Sequence, residues 1–208
     1  TQSMLLNEQQ LAPLSRAQPW AVNATSDNTG GTGLNSICQT DRFADKSGLG
    51  TLVRKFSAQG VPARTLVETV EISQDATKAK KSYLTTRNWF ADCQAPRLRL
   101  LNTWKLSGLG DEAELMGFEL TADSAIRRMT VGLARDNALT ISMVAETENG
   151  NDVDPQVAGN VLAQALKRLC QSSAAGDHCK ATPTLEASNP PPASDAKGFL
   201  AVVDLPAV

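Results

Sequence analysis

Apolar positions recur at two spacings along this chain, and the change from one to the other marks out its elements. Between residues 98 and 143 they alternate with polar ones, as side chains do along a half-buried strand. The sets are Leu98, Leu100, Trp104 and Leu106; Met116, Phe118 and Leu120; Met129, Val131 and Leu133; and Leu139, Ile141 and Met143. Turn-forming stretches at Gly108 to Asp111, Ala122 to Ser124 and Asp136-Asn137 separate them. The pattern predicts four consecutive antiparallel strands, a meander. Two more strands are expected from Thr51 to Phe56 and from Arg64 to Ser73, with Leu66, Val70 and Ile72 on one side and Gly60 and Pro62 as turn signals between them.

Helical spacing takes over twice. After Ser73-Gln74-Asp75, which can cap a helix, Ala76, Ala79, Tyr83, Phe90 and Cys93 fall near one face while Lys78, Lys80, Lys81 and Arg87 lie mostly elsewhere. Asp154-Pro155 opens the second helix, in which Val157, Val161, Leu162, Ala165, Leu166 and Leu169 form an apolar stripe. An antiparallel meander with two main amphipathic helices packed on one face is an α+β fold. Met4 to Leu11 reads as a short helix. Pro13, Pro19 and the Gly/Ser/Thr/Asn-rich stretch Thr25 to Asn35 then predict a loosely structured start.

Residues 1–180 are expected to form one domain. From 181 to 197 the composition, with Asn189-Pro190-Pro191-Pro192, is that of an extended linker. Residues 198–208 turn apolar again and are expected to form a strand or to open a further domain. With 208 residues, 41% hydrophobic and 20% charged, the chain has material for one ordinary core. Its net charge of −2, with Lys and Arg scattered, gives no electrostatic footprint for nucleic acid. No apolar run approaches the roughly 20 residues that span a bilayer. The opening residues lack a basic stretch followed by an apolar one, so any signal peptide or anchor is expected to have been removed or to lie outside this stretch.

The four cysteines, Cys38, Cys93, Cys170 and Cys179, contain no Cys-x-x-Cys pair, which disfavours a zinc knuckle or a thioredoxin-like site. Cys179 sits in Gly176-Asp177-His178-Cys179, a polar stretch where a free thiol would be exposed and oxidisable. A local bridge to Cys170 removes that liability and, by loop-closure entropy, stabilises by about 2.6 kcal/mol. Disulfides persist outside the cytoplasm.

The order of several short segments resembles the PknH-like extracellular sensor domains of actinobacteria. They are Leu5-Leu6 and Trp20, Cys38-Gln39 followed by Arg42-Phe43-Ala44-Asp45, Asn88-Trp89-Phe90-Ala91-Asp92-Cys93, Gly108-Leu109-Gly110-Asp111-Glu112-Ala113, Gly132-Leu133-Ala134-Arg135 and Leu169-Cys170. The resemblance covers roughly residues 4 to 180. It implies an antiparallel sheet with helices, a cleft, and two disulfides, Cys38 to Cys93 and Cys170 to Cys179. Such domains occur as ectodomains of membrane serine/threonine kinases, as lipoproteins and as secreted proteins, so the resemblance implies an extracellular or cell-surface sensor.

Residues that could carry chemistry are few. His178 is the single histidine, placed in a loop beside a cysteine expected to be bridged, so neither Ser-His-Asp nor Cys-His catalysis is expected. A histidine-rich metal site is set aside by the same count. Gly30-Gly31-Thr32-Gly33 and Gly108-Leu109-Gly110 lack the remaining residues of phosphate-binding loops and read as turns. Asp111, Glu112 and Glu114 could supply an acid and a base but read as a solvated turn. The expectation is therefore a protein that is not an enzyme and uses no cofactor or metal.

For binding, the sheet face away from the helices offers Thr103, Glu119, Arg128, Thr130, Thr140 and Ser142, interleaved with Gly117 and Gly132. These could floor a cleft and orient a polar ligand by hydrogen bonds. Trp104 falls on the apolar side; Trp20 and Trp89 fit either role. The function expected is non-catalytic, extracytoplasmic ligand sensing, with an unidentified small molecule or envelope component as ligand and a membrane signalling protein as downstream partner. The competing reading is a secreted, lipoprotein-like structural or protein-interaction module without a small-molecule ligand.

Overall fold

The computed structural model of the chain describes residues 2–15, 17–122, 125–179 and 182–192. Eight strands form one antiparallel sheet: β1 (Trp20–Ser26), β2 (Gly50–Ala58), β3 (Arg64–Ile72), β4 (Leu98–Ser107), β5 (Glu112–Ala122), β6 (Ala125–Asp136), β7 (Leu139–Glu148) and β8 (Thr184–Ala187), in the order β1-β2-β3-β7-β6-β5-β4-β8. Among the described residues two α-helices accompany them, α1 (Ala76–Ala91) and α2 (Pro155–Leu169). The expected meander is β4 to β7. A second meander, β1 to β3, joins it where β3 pairs β7 from Arg64↔Thr147 to Ile72↔Leu139. The α+β class, the antiparallel sheet and both disulfides, Cys38–Cys93 and Cys170–Cys179, agree with the reading of the sequence.

The helices do not share a face. Along β7, Leu139, Ile141, Met143 and Ala145 join one core with Val161, Leu162, Leu166 and Leu169 of α2, whereas Val144 joins a second core with Tyr83 and Phe90 of α1. Period-two alternation separates the two sides of one strand but does not say which side matches its neighbour's. Met116, Phe118, Met129 and Val131 belong to the α1 side, opposite the Leu139 set with which they were grouped. In β4, a bulge between Leu100 and Asn102 sends Leu98 and Leu100 to the α1 side and Trp104 and Leu106 to the α2 side. Placing helices on opposite faces removes the open face on which a cleft was expected.

Each helix begins at the expected cap. The Asp75 carboxylate accepts from Lys78 N–H at 2.8 Å, and that of Asp154 from Gln156 N–H at 2.8 Å and Val157 N–H at 3.4 Å. Close approach of α2 to the sheet depends on Gly132, where a Cβ would stand 3.2 Å from Leu115 Cδ2 and 3.4 Å from Leu162 Cδ2. Replacing Asp154 by alanine should cost about 1 kcal/mol of unfolding free energy, read as a lower urea midpoint at unchanged slope.

The start of the chain is packed rather than loose. Leu5, Leu6 and Leu11 are fully buried at the α2 face, and a 3₁₀ helix at Glu8–Leu14 is capped reciprocally by Asn7 and Gln10. Trp20–Ser26, whose last two residues fall in the stretch read as loop, is an edge strand. Thr184–Ala187, within the stretch read as linker, pairs antiparallel to β4. Residues 198–208 lie outside the described residues. Among the described residues, no helix is long and apolar enough to cross a membrane.

Candidate functional site

The connection between β1 and β2 arches over the α1 face of the sheet and is held at several points along its length. Cys38 is bonded to Cys93 just beyond α1. Inside the arch, Asn28 Nδ2 donates to the carbonyls of Gly33 (3.0 Å) and Arg42 (2.8 Å), and Gln39 Nε2 to that of Asp41 (2.7 Å). The Arg42 guanidinium donates to the carbonyls of Asn28, Gly30 and Gly31. Gly33 adopts φ +74°, and a Cβ there would lie 2.5 Å from Arg42 Cγ. Every one of these bonds fixes loop backbone, so the arch is rigid by hydrogen bonding rather than by an apolar core.

Its last anchor is Glu71 on β3. One carboxylate oxygen accepts from Ala44 N–H at 3.1 Å and the other from the Ser82 hydroxyl at 2.7 Å, joining strand, arch and helix at a buried point. Burial raises the Glu71 carboxyl above its usual range, although the Ser82 and Ala44 hydrogen bonds oppose the rise.

Between arch, helix and sheet runs a groove. Its inner part is floored by Val67, Thr69 and Glu71 of β3 and Thr140, Ser142 and Val144 of β7, and bounded by Thr86, Trp89 and Phe90. This crevice has a volume of about 30 Å³, room for about one water. Beside it, sharing Ala44 and Trp89 as walls, lies a basin of about 510 Å³ bordered by Phe43, Asp41, Asp45, Lys46, Lys78 and Lys81, a size suited to a small molecule. Two of the lysines are engaged at the rim: Lys46 pairs with Asp41, and Lys78 Nζ donates to Gln74 Oε1 at 2.6 Å. The half-buried Trp89 borders both parts, placing an aromatic surface between a polar crevice and a charged mouth.

Of the residues singled out from the sequence, Thr140 and Ser142 lie in this crevice, and the Thr140 hydroxyl donates to the Ala79 carbonyl at 3.2 Å. The others are elsewhere. Glu119 pairs with Arg99 (3.0 Å) and Arg128 (2.5 Å), and Arg128 also reaches Asp152 at 3.2 Å, a network of exposed and half-exposed charges at another end of the sheet. Thr103 donates to the carbonyl of Ser188, and Thr130 is buried in β6. Trp89, left open between core and binding surface, borders the groove; Glu71 and the residue 35–47 arch were not singled out. Their available signal was Arg42-Phe43-Ala44-Asp45 and Asn88-Trp89, two polar-aromatic segments that the cysteine bridge brings together.

No protein-family model matches this chain, and no curated protein matches it in sequence. Among solved structures, the crystal structure of the extracellular domain of PknH from Mycobacterium tuberculosis superposes with a TM-score of 0.58 at 12% identity, over 82% of this chain and 94% of that one. A likeness of that extent shows the fold, and the chain therefore has the fold of the PknH extracellular domain.

Proposed function

We propose that this chain is a non-catalytic, extracytoplasmic ligand-binding domain of sensor type, with its ligand seated in the groove beneath the arch. The observation that carries the reading is the arch itself. A segment with little core of its own is fixed over the sheet by a disulfide, by Glu71 and by backbone hydrogen bonds, and a basin of small-molecule size lies along its edge. Pre-organisation of this kind favours binding because the ordering cost is met in folding rather than on association. Two disulfides fit an oxidising compartment, and an extracellular domain of the same fold supports the extracellular placement.

Crevice hydroxyls and the Trp89 ring suit a small polar molecule with a flat apolar part, and the lysines at the mouth suit one bearing negative charge. Glu71, the buried acid of the site, is spent on holding the arch, so the reading is of binding rather than reaction. Signal output would pass through a membrane partner that responds to a change in the arch.

A ligand-observed NMR screen with a fragment library tests this reading, with the Trp89 indole N–H followed in parallel. Acidic aromatic fragments are expected to shift that resonance and to lose at least tenfold in affinity in Trp89→Ala and Lys81→Ala, with Glu119→Gln unchanged. Fragment binding confined to other surfaces, or insensitive to both substitutions, overturns the assignment of the groove.

A further inference from the structure

At the opposite end of α2, the Cys170–Cys179 loop folds back onto two hairpin turns of the sheet. Gly110 N–H donates to the His178 carbonyl at 3.2 Å and Ala138 N–H to the Ala174 carbonyl at 3.1 Å. The docking brings Asp111, Asp136 and His178, distant in sequence, to one place. His178 Nδ1 lies 3.2 Å from Asp111 Oδ1 and 4.0 Å from Asp136 Oδ1, and all three atoms are within 4.8 Å of one another.

We propose that these three side chains form a binding site for a first-row divalent transition-metal ion of the zinc class. Acidic residues near a histidine are common, and the cluster alone would carry nothing. The independent observation is Asp136. Its side chain is 0% exposed, and among the described residues no group donates a hydrogen bond to Oδ1, the oxygen aimed at the cluster. A buried carboxylate oxygen without a donor is costly, and a cation would resolve it.

The remaining oxygens are already committed. Asp136 Oδ2 accepts from Gly176 N–H at 2.7 Å. Asp111 Oδ2 accepts from Asn137 N–H at 2.9 Å and from Arg135 Nη1 at 2.8 Å. Each carboxylate thus has one oxygen fixed by an outer partner and the other facing inward, the division of labour seen where outer hydrogen bonds orient metal ligands. Gly176 belongs to the design. A Cβ there would stand 2.9 Å from Asp136 Oδ1, so only glycine lets the loop backbone come this close to the inward oxygen.

Metal chemistry follows from the donor set. Imidazole with carboxylates suits zinc and its neighbours, whereas calcium takes six to eight oxygens. With metal–ligand bonds near 2.1 Å, tetrahedral ligand atoms stand roughly 3.4 Å apart. The 3.2 and 4.0 Å separations to His178 differ from this by a few tenths of an ångström, which the exposed ring can supply, while the two inward carboxylate oxygens, within 4.8 Å of each other, have to close by up to about 1.4 Å through rotation of the Asp111 side chain. Two carboxylates and a neutral imidazole balance a divalent charge, and three protein ligands leave a position for water. Bound metal would clamp the disulfide loop to the turns before β5 and between β6 and β7.

The test is isothermal titration of the full chain with zinc chloride and, separately, calcium chloride. Hydrogen exchange of residues 171–179 is followed with and without zinc. Saturable one-to-one zinc binding at micromolar or tighter Kd is expected, with a Tm rise of roughly 5–10 °C at a hundredfold excess over Kd. Exchange of the loop should slow. His178→Ala, whose ring is exposed and whose loss should not disturb folding, is expected to weaken binding at least tenfold, and Asp136→Asn likewise, with Glu119→Gln unchanged. Absence of saturable binding up to about 1 mM, affinity unchanged in His178→Ala, or equal preference for calcium each overturns the proposal. None of these outcomes bears on the groove.

Discussion

Serine at both Cys38 and Cys93 should lower the unfolding free energy by about 4 kcal/mol, because the bridge closes a loop of 55 residues in the unfolded chain. The same replacement at Cys170 and Cys179, which close 9, should cost about 2.6 kcal/mol. Against a total of 5–15 kcal/mol for a typical domain, the first loss is a large fraction. It also has a local consequence at the groove. Cys38 is 3% exposed and packs into the α1 core with Tyr83 and Phe90, so the bridge holds the arch over the groove as well as shortening the unfolded chain. Urea denaturation gives the first effect. Amide exchange across residues 28–47 gives the second, as loss of protection by at least tenfold relative to the strands. Retained protection would show that Glu71 and the Arg42 and Asn28 bonds hold the arch unaided, and the groove would then survive reduction.

How far the sequence could be read depended on how local each signal was. Asp75 and Asp154 cap where expected because a cap needs only its own first turn. The four strands from Leu98 to Glu148 were legible because short turns dictate antiparallel neighbours, and Asn137 at φ +51° sits in the tightest of them. Three things were not legible. The side of the sheet each apolar set occupies depends on cross-strand register and on the bulge after Leu100, neither visible in one strand's alternation. The arch has no periodicity, because backbone hydrogen bonds from Arg42, Asn28 and Gln39 order it. The Asp111, Asp136 and His178 cluster needs a disulfide loop and two turns to dock, so counting histidines passed over it. One signal was present and overlooked: Glu68 falls between Leu66 and Val70 on the apolar side of β3, and a charge in that position marks a built interaction.

Glu68 leads to the other large effect. It is 0% exposed, its Oε2 accepts from Leu6 N–H at 2.9 Å, and Arg54 Nη1 donates to the Leu6 carbonyl at 2.7 Å, so the buried start of the chain is held through a carboxyl in the core. Burial pushes this carboxyl up to about 7, against the Leu6 hydrogen bond and the nearby charges of Arg54 and Arg168. A group whose folded value is raised stabilises fully below its unfolded value, here about 4.5, and the contribution is lost as pH rises toward 7. Over that window the unfolding free energy should fall by on the order of 3 kcal/mol on account of Glu68. Glu71, Glu114 and Glu146 are raised in the same direction, so the wild-type curve alone does not isolate it. Glu68→Gln does, since the amide keeps an acceptor for Leu6 N–H and does not titrate. Stability measured by urea at half-unit steps should show wild type losing ground to Glu68→Gln between pH 4.5 and 7, with exchange at Leu6 rising in wild type only. Parallel curves would mean that Arg54 and Arg168 keep Glu68 ionised throughout, making the N-terminal segment a fixed part of the core rather than one that loosens toward neutral pH.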